Sequence, residues 1–240
     1  MKTNQLKTVF LGIIVEIILI TEVGCANLFP NPVNYFFFYN ILYGVIFSFL
    51  LPIFFIRRER NVFYFVGLKN LGKRQIIVLI LFVVFSVGGQ LIPLVIAGET
   101  IPWNLLPNGI IPLIMTTFFE EFLFRGFFQN KFERDFGVLP AIVVSGFMFS
   151  LYHLGYPGFR TFADLFLLFF VGVGFAAAYK LSGNNLIVAY FVNLPNAFVT
   201  YILKYKQFPV MTIYSTIAGI ITLCIIIIVF ILLKRADKKL

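Results

Sequence analysis

Six stretches of this chain carry no charged side chain: Asn27–Ile56, Gln75–Gly98, Thr100–Phe119, Phe136–Tyr152, Leu181–Leu203 and Gln207–Leu233. Several exceed the roughly 20 residues that cross a bilayer as a helix. In lipid each backbone N–H and C=O must find its partner within the protein, which a helix supplies from its own chain. Composition agrees, with 60% of the 240 residues hydrophobic, 19% aromatic, only 12% charged, and a mean hydropathy of +0.97. The expected fold class is therefore all-α, a polytopic transmembrane helical bundle of about eight spans forming one integral membrane domain over 1–240. No internal repeat or low-complexity linker divides it.

A net charge of +9 would suggest nucleic acid as the partner of a soluble protein. Here the cations gather in short loops, at Arg57–Arg60, Lys73-Arg74, Lys131 to Arg134, Lys180 and the Lys234–Lys239 tail, so they report orientation instead. Counting spans from a cytoplasmic N-terminus puts all of these clusters inside and only Lys204 and Lys206 outside, with both termini cytoplasmic. Nucleic acid is excluded as a partner, and the lipid bilayer is required as one.

Lys2 and Lys7 precede an apolar stretch, Thr8 to Ile20, that imitates a signal peptide ending near Gly24-Cys25. Glu16 interrupts its centre and Glu22 stands three places before Cys25, so a retained first span is expected, with Glu16 facing the bundle interior or held protonated. Val33 to Ile56 forms the second span. The segment 61–72 is too short to cross, and it is either a piece lying in the interface or an ordinary loop. Gln75 to Ala97 spans again, followed by a Pro-rich turn whose Trp103 suits an interfacial position. Further spans are expected near Asn108–Gln129, Val138–Leu154, Phe162–Tyr179, through Asn193 and Asn196, and at Val210–Leu233. Cys25 and Cys224 have no metal-site or redox spacing and are expected to be small buried residues.

The unusual charges are Glu120 and Glu121, adjacent within an aromatic run and followed by Arg125. Ionisable groups in lipid need partners, and Glu121 and Arg125, four apart, share one helical face. A helical step of about 100° turns Glu120 to another face, where it needs water, a metal or a proton donor from a neighbouring helix. Depth identifies candidates: at about 1.5 Å per residue Glu120 lies roughly 15 Å from the inner end of its span, His153 roughly 20 Å, and Asn193 and Asn196 roughly 14–18 Å. A carboxylate beside an imidazole in a dry cavity can deprotonate water, either alone or by sharing a divalent metal such as zinc held by Glu120 and His153. Hydrolysis is the chemistry to expect.

The run Glu120-Glu121-Phe-Leu-Phe-Arg125 resembles the EExxxR motif of the CAAX-protease and bacteriocin-processing (CPBP, or Abi) family of intramembrane proteases, and Phe149-Ser-Leu-Tyr-His153 resembles its FxxxH motif. The resemblance covers about residues 110–200. It implies an endopeptidase of the bacterial cell membrane acting on a membrane-associated peptide or protein, with Glu120 activating water, His153 a second member, and Glu121 and Arg125 in support. The family's last motif is a His followed four residues on by Asn or Asp, and this chain has only one histidine. Counting from Leu186 puts Asn193 at the vacant place, whereas counting from Gly183 puts Val192 there and Asn196 on the family Asn. An amide can hydrogen-bond a water or an oxyanion, but it is a poor zinc ligand and no base near neutral pH. Loss of that His also fits a non-catalytic family member acting as a bacteriocin-immunity or regulatory partner of membrane proteins.

Overall fold

The computed structural model describes residues 3–28, 31–59, 61–158 and 161–204, together with Ile217, Ile220, Ile221, Cys224, Ile227, Ile228 and Ile231. Among these every regular element is helical. We number the helices α1 (Thr3–Leu28), α2 (32–56), α3 (Val62–Val66), α4 (Lys73–Ile96), α5 (106–136), α6 (Val138–Gly155, ending in a 3₁₀ turn at Tyr152–Gly155), α7 (Phe162–Leu181) and α8 (Leu186–Lys204). Six of them are long and apolar enough to cross a membrane: α1, α2, α4, α6, α7 and α8. Helix α5, with Glu120 and Glu121 at its middle, runs between them as the central helix. The chain is an all-α polytopic integral membrane protein. The span expected at Val210–Leu233 lies outside the described residues, apart from seven helical positions there that include exposed isoleucines and Cys224. That exposure corrects the expectation of a buried Cys224, and Cys25 is half-buried.

Local chemistry sets the helix ends. Thr161 accepts from the Asp164 N–H at 3.1 Å, and the Asp164 carboxylate returns the contact, so the acid at the start of α7 belongs to a capping box. Asn185 caps α8 by accepting from the N–H groups of Ile187 and Val188, and Asn61 caps α3 by accepting from Tyr64. The 61–72 segment thus contains one capped helical turn and a half, ended by Gly67 at φ +90°. Only a glycine suits that place. A Cβ would meet the Asn184 oxygen at 2.5 Å, where the Gly67 carbonyl accepts the Leu186 N–H at 2.8 Å and ties α3 beneath the α7–α8 turn. Between Ala97 and α5, Pro102 precedes a 3₁₀ turn at Trp103–Leu105, and Pro107 stands in the first turn of α5, where its missing N–H costs nothing.

Three stretches, Phe36–Leu50 in α2, Phe122–Gln129 in α5 and Phe198–Lys204 in α8, have the i→i+5 bonding of a π-helix. Tyr35, Tyr39 and Tyr43, four apart along α2 and so on one helical face, stack in succession, with ring centroids 5.0 Å apart. The main apolar core joins α1, α2, the inner part of α5, α6, α7 and the first half of α8. A second cluster gathers Leu113, Ala197, Val199, Ile202 and Leu203 against the outer halves of α4 and α5. Helix α4 contributes no buried side chain and lies at the periphery. Glu16 is buried on α1, as expected, and among the described residues neither of its oxygens has a hydrogen-bond partner.

Candidate active site

Helix α5 holds Glu121, Arg125 and Gln129, four apart, on one face, and all three are fully buried. Arg125 Nη1 lies 3.3 Å from Glu121 Oε1, the ion pair that the spacing predicted. Its other arm, Nη2, donates to the Gly172 carbonyl at 2.8 Å, and Gln129 Nε2 donates to the Ala176 carbonyl at 2.9 Å. Two donors four apart on α5 thus meet two carbonyls four apart on α7. The guanidinium also lies 4.8 Å from the Phe149 ring and 5.4 Å from that of Phe175, so aromatic faces replace water around the cation. Close helix approach makes this reach possible: a Cβ on Gly172 would stand 2.9 Å from the Gly146 oxygen on α6.

Glu120 turns to the other side, and its partners come from two other helices. The Tyr152 hydroxyl donates to Oε1, and Asn193 Nδ2 donates to Oε2 at 2.8 Å. The same Asn193 nitrogen donates to Glu121 Oε1 at 2.9 Å. An amide NH₂ has two protons, and both are committed to carboxylates. Asn193 therefore holds the two adjacent acids in one cluster, in which Arg125 is the only cation. Tyr152 reaches Glu120 from the 3₁₀ turn that ends α6. Its ring stacks almost parallel on Tyr43 at 5.9 Å and packs against Phe124 at 5.4 Å.

His153 is buried beside Tyr152, their ring centroids 4.2 Å apart. Nδ1 lies 2.7 Å from the Phe149 carbonyl, which can only accept, so that nitrogen carries the proton. In the neutral ring Nε2 then accepts from the Tyr201 hydroxyl at 3.0 Å. Among the described residues the hydrogen bonds of Glu120 come from Tyr152 and Asn193 and none comes from His153. The phenol stands where the spacing led us to expect the imidazole.

Asn193 and Asn196, both candidates for the last motif, go separate ways. Asn196 Oδ1 accepts from Ser86 Oγ at 2.9 Å and Gln90 Nε2 at 2.8 Å, so it faces α4 rather than the carboxylates. Thr200 adds a 2.8 Å bond to Gln90 Oε1. Val192 is buried among apolar side chains. Geometry thus brings together Glu120, Glu121, Arg125 and Asn193, with His153 alongside, and leaves Asn196 in a separate polar cluster one turn away. Sequence reasoning passed over Tyr152. The signal was present, since a phenol adjoins the motif histidine, but in a chain with 11 tyrosines its type alone does not single it out.

The donor set does not suit zinc. Among the described residues no three His, Cys, Asp or Glu side chains converge as metal ligands. Glu120 and one imidazole leave too few strong donors, and the amide at the third place is a weak one.

What fold and site define is a class: a polytopic helical membrane protein with a dry, hydrogen-bonded cluster of two carboxylates, an arginine and an amide at its centre. Residues 102–198 match the family model described as Rce1-like, type II CAAX prenyl endopeptidase. The matched segment contains the whole cluster and is similar to that CAAX-protease family. No curated protein and no solved structure matches the chain.

Proposed function

We propose that the protein is an intramembrane endopeptidase that hydrolyses a peptide bond of a membrane-associated substrate by means of a Glu120-activated water. The observation that carries this reading is the division of labour between two adjacent carboxylates. Glu121 has a counter-ion in Arg125, whereas Glu120 is held by two neutral donors and keeps its capacity to accept a proton. A buried carboxylate held by neutral donors beside an ion-paired neighbour can act as a general base. Water bound at Glu120 gives it a proton while attacking the scissile carbonyl carbon. The carboxyl group then passes that proton to the departing amine. Arg125 and Asn193 hold Glu121 and fix the pair, and His153, tethered to the Phe149 carbonyl and Tyr201, lines the site. Asn196 anchors α4. No step runs through a metal. The family match supports the protease class, the cations in the short loops support an orientation with both termini cytoplasmic, and a bacterial cell membrane is the setting that the family resemblance implies.

A second reading, a non-catalytic immunity or regulatory partner of another membrane protein, is favoured by one observation: Asn193, which can act neither as base nor as strong metal ligand, faces the carboxylates. The test compares membranes from cells expressing wild type, Glu120→Gln and His153→Ala at matched levels, with new peptide termini mapped by mass spectrometry. Termini produced by wild type and lost in Glu120→Gln are expected, with the rate down at least the 10²–10⁴-fold typical of acid–base catalysis. Identical termini in all three would leave the binding role.

A further inference from the structure

We propose that Tyr152 is a catalytic residue of this site: its hydroxyl, a rotatable neutral donor already in contact with Glu120, turns to give the developing oxyanion a hydrogen bond. The inference rests on the peptidase reading above.

Hydrolysis of an amide puts negative charge on the carbonyl oxygen, and an acyl-transfer site needs a donor aimed at that charge. Asn193, at the place of the missing family histidine, has both amide protons on Glu120 and Glu121. Withdrawing one would leave a buried carboxylate short of a donor. His153 has its proton on the Phe149 carbonyl and its other nitrogen facing Tyr201. Thr117 donates to the Leu113 carbonyl, and Thr116 is bonded to Tyr39. Arg125 donates through Nη2 to Gly172 and pairs with Glu121; its Nε and Nη1 have no hydrogen-bond partner among the described residues, but they belong to a guanidinium held against the Phe149 and Phe175 rings and cannot turn as a hydroxyl does. Tyr152 is the hydroxyl donor already touching the proposed base, its ring is fixed by Tyr43 and Phe124, and its rotatable O–H needs only to turn from one oxygen to another, whereas the Asn193 amide would have to leave a carboxylate. Tyr43, stacked nearly parallel on it and fully buried, is a second phenol in the same stack.

The resting and reacting states follow. At rest the Tyr152 proton lies on Glu120 Oε1, which satisfies the carboxylate while no water is bound. When substrate and water enter, Glu120 accepts the water proton, the new C–O bond forms, and the oxyanion accepts the Tyr152 hydrogen bond. Collapse breaks the C–N bond, the amine takes the proton from Glu120, and the phenol returns to the carboxylate. Tyrosine keeps its proton throughout, and the sum is peptide plus water giving acid and amine.

The test uses the full-length protein in detergent with an internally quenched peptide ending in a farnesylated CAAX sequence, and in parallel the mapping of termini in membranes. Tyr152→Phe, which keeps the stacked ring, should lower kcat about 10²–10³-fold, the loss typical of one oxyanion donor, with KM unchanged. Replacing Tyr152 with 3,5-difluorotyrosine should restore most of kcat and move the alkaline fall in rate to lower pH, because the fluorinated phenol loses its donor proton earlier. A structural role would leave that limb in place. A folded Tyr152→Phe protein with wild-type kcat, or a difluorotyrosine profile that superimposes on wild type, would overturn Tyr152 while leaving the peptidase reading intact. A wild type that cuts neither the peptide nor any membrane protein would overturn both.

Discussion

At the scale of single residues the site turns on Asn193, whose one nitrogen holds two acids. Asn193→Leu removes both bonds and adds only apolar surface. We expect it to lower stability by on the order of 2–3 kcal/mol, since hydrogen bonds to charged groups are worth more than neutral ones, read as an earlier unfolding midpoint in detergent. Asn193→His should raise cleavage of the terminal-mapped substrates, whereas Val192→His should not, because position 192 points into apolar core. A gain at 192 alone would reverse the register. The pairing of Glu121 with Arg125 was legible from spacing alone, as was the need of Glu120 for a donor from another helix. That the donor would be Tyr152 was not, because an α-helix and a 3₁₀ turn present consecutive side chains at different angles, and the change falls at residue 152.

At the scale of helices, position depends on close contacts that side chains would forbid. Gly172 faces the Gly146 backbone, which cannot step aside, so Gly172→Ala should part α6 from α7 and carry the Gly172 carbonyl away from Arg125. The expected cost is about 1–3 kcal/mol for an overpacked interface, seen as a lowered thermal midpoint, together with loss of cleavage. An unchanged midpoint would mean the helices are not packed this closely. The existence and order of the helices could be read from the uncharged runs, while the π-type stretches could not. No residue pattern marks them. The fate of Asn196 was equally hidden, because the sequence does not say that α4 lies alongside α8 with Ser86 and Gln90 turned toward it.

At the scale of the molecule the basic loops gather at one end, where Lys69 donates to the Gly183 carbonyl, Arg74 to that of Leu181, and Lys180 pairs with Glu133. If this end is cytoplasmic, a cysteine placed at Asn70 should react with a membrane-impermeant maleimide in inside-out vesicles and be protected in intact cells. The opposite pattern would invert the topology.

The central helix carries its charges well ahead of the groups that satisfy them. Arg125 waits for a carbonyl 47 residues further along the chain, and Glu120 for an amide 73 residues further. During synthesis this segment therefore leaves the ribosome as an acid-bearing helix with no finished berth. It gains a lasting place in the bilayer only when the last of its partners has been translated. Assembly of the site and retention of the helix are one event, so a nascent chain that stops before α8 should be surrendered to quality-control proteolysis rather than accumulate as a partial bundle.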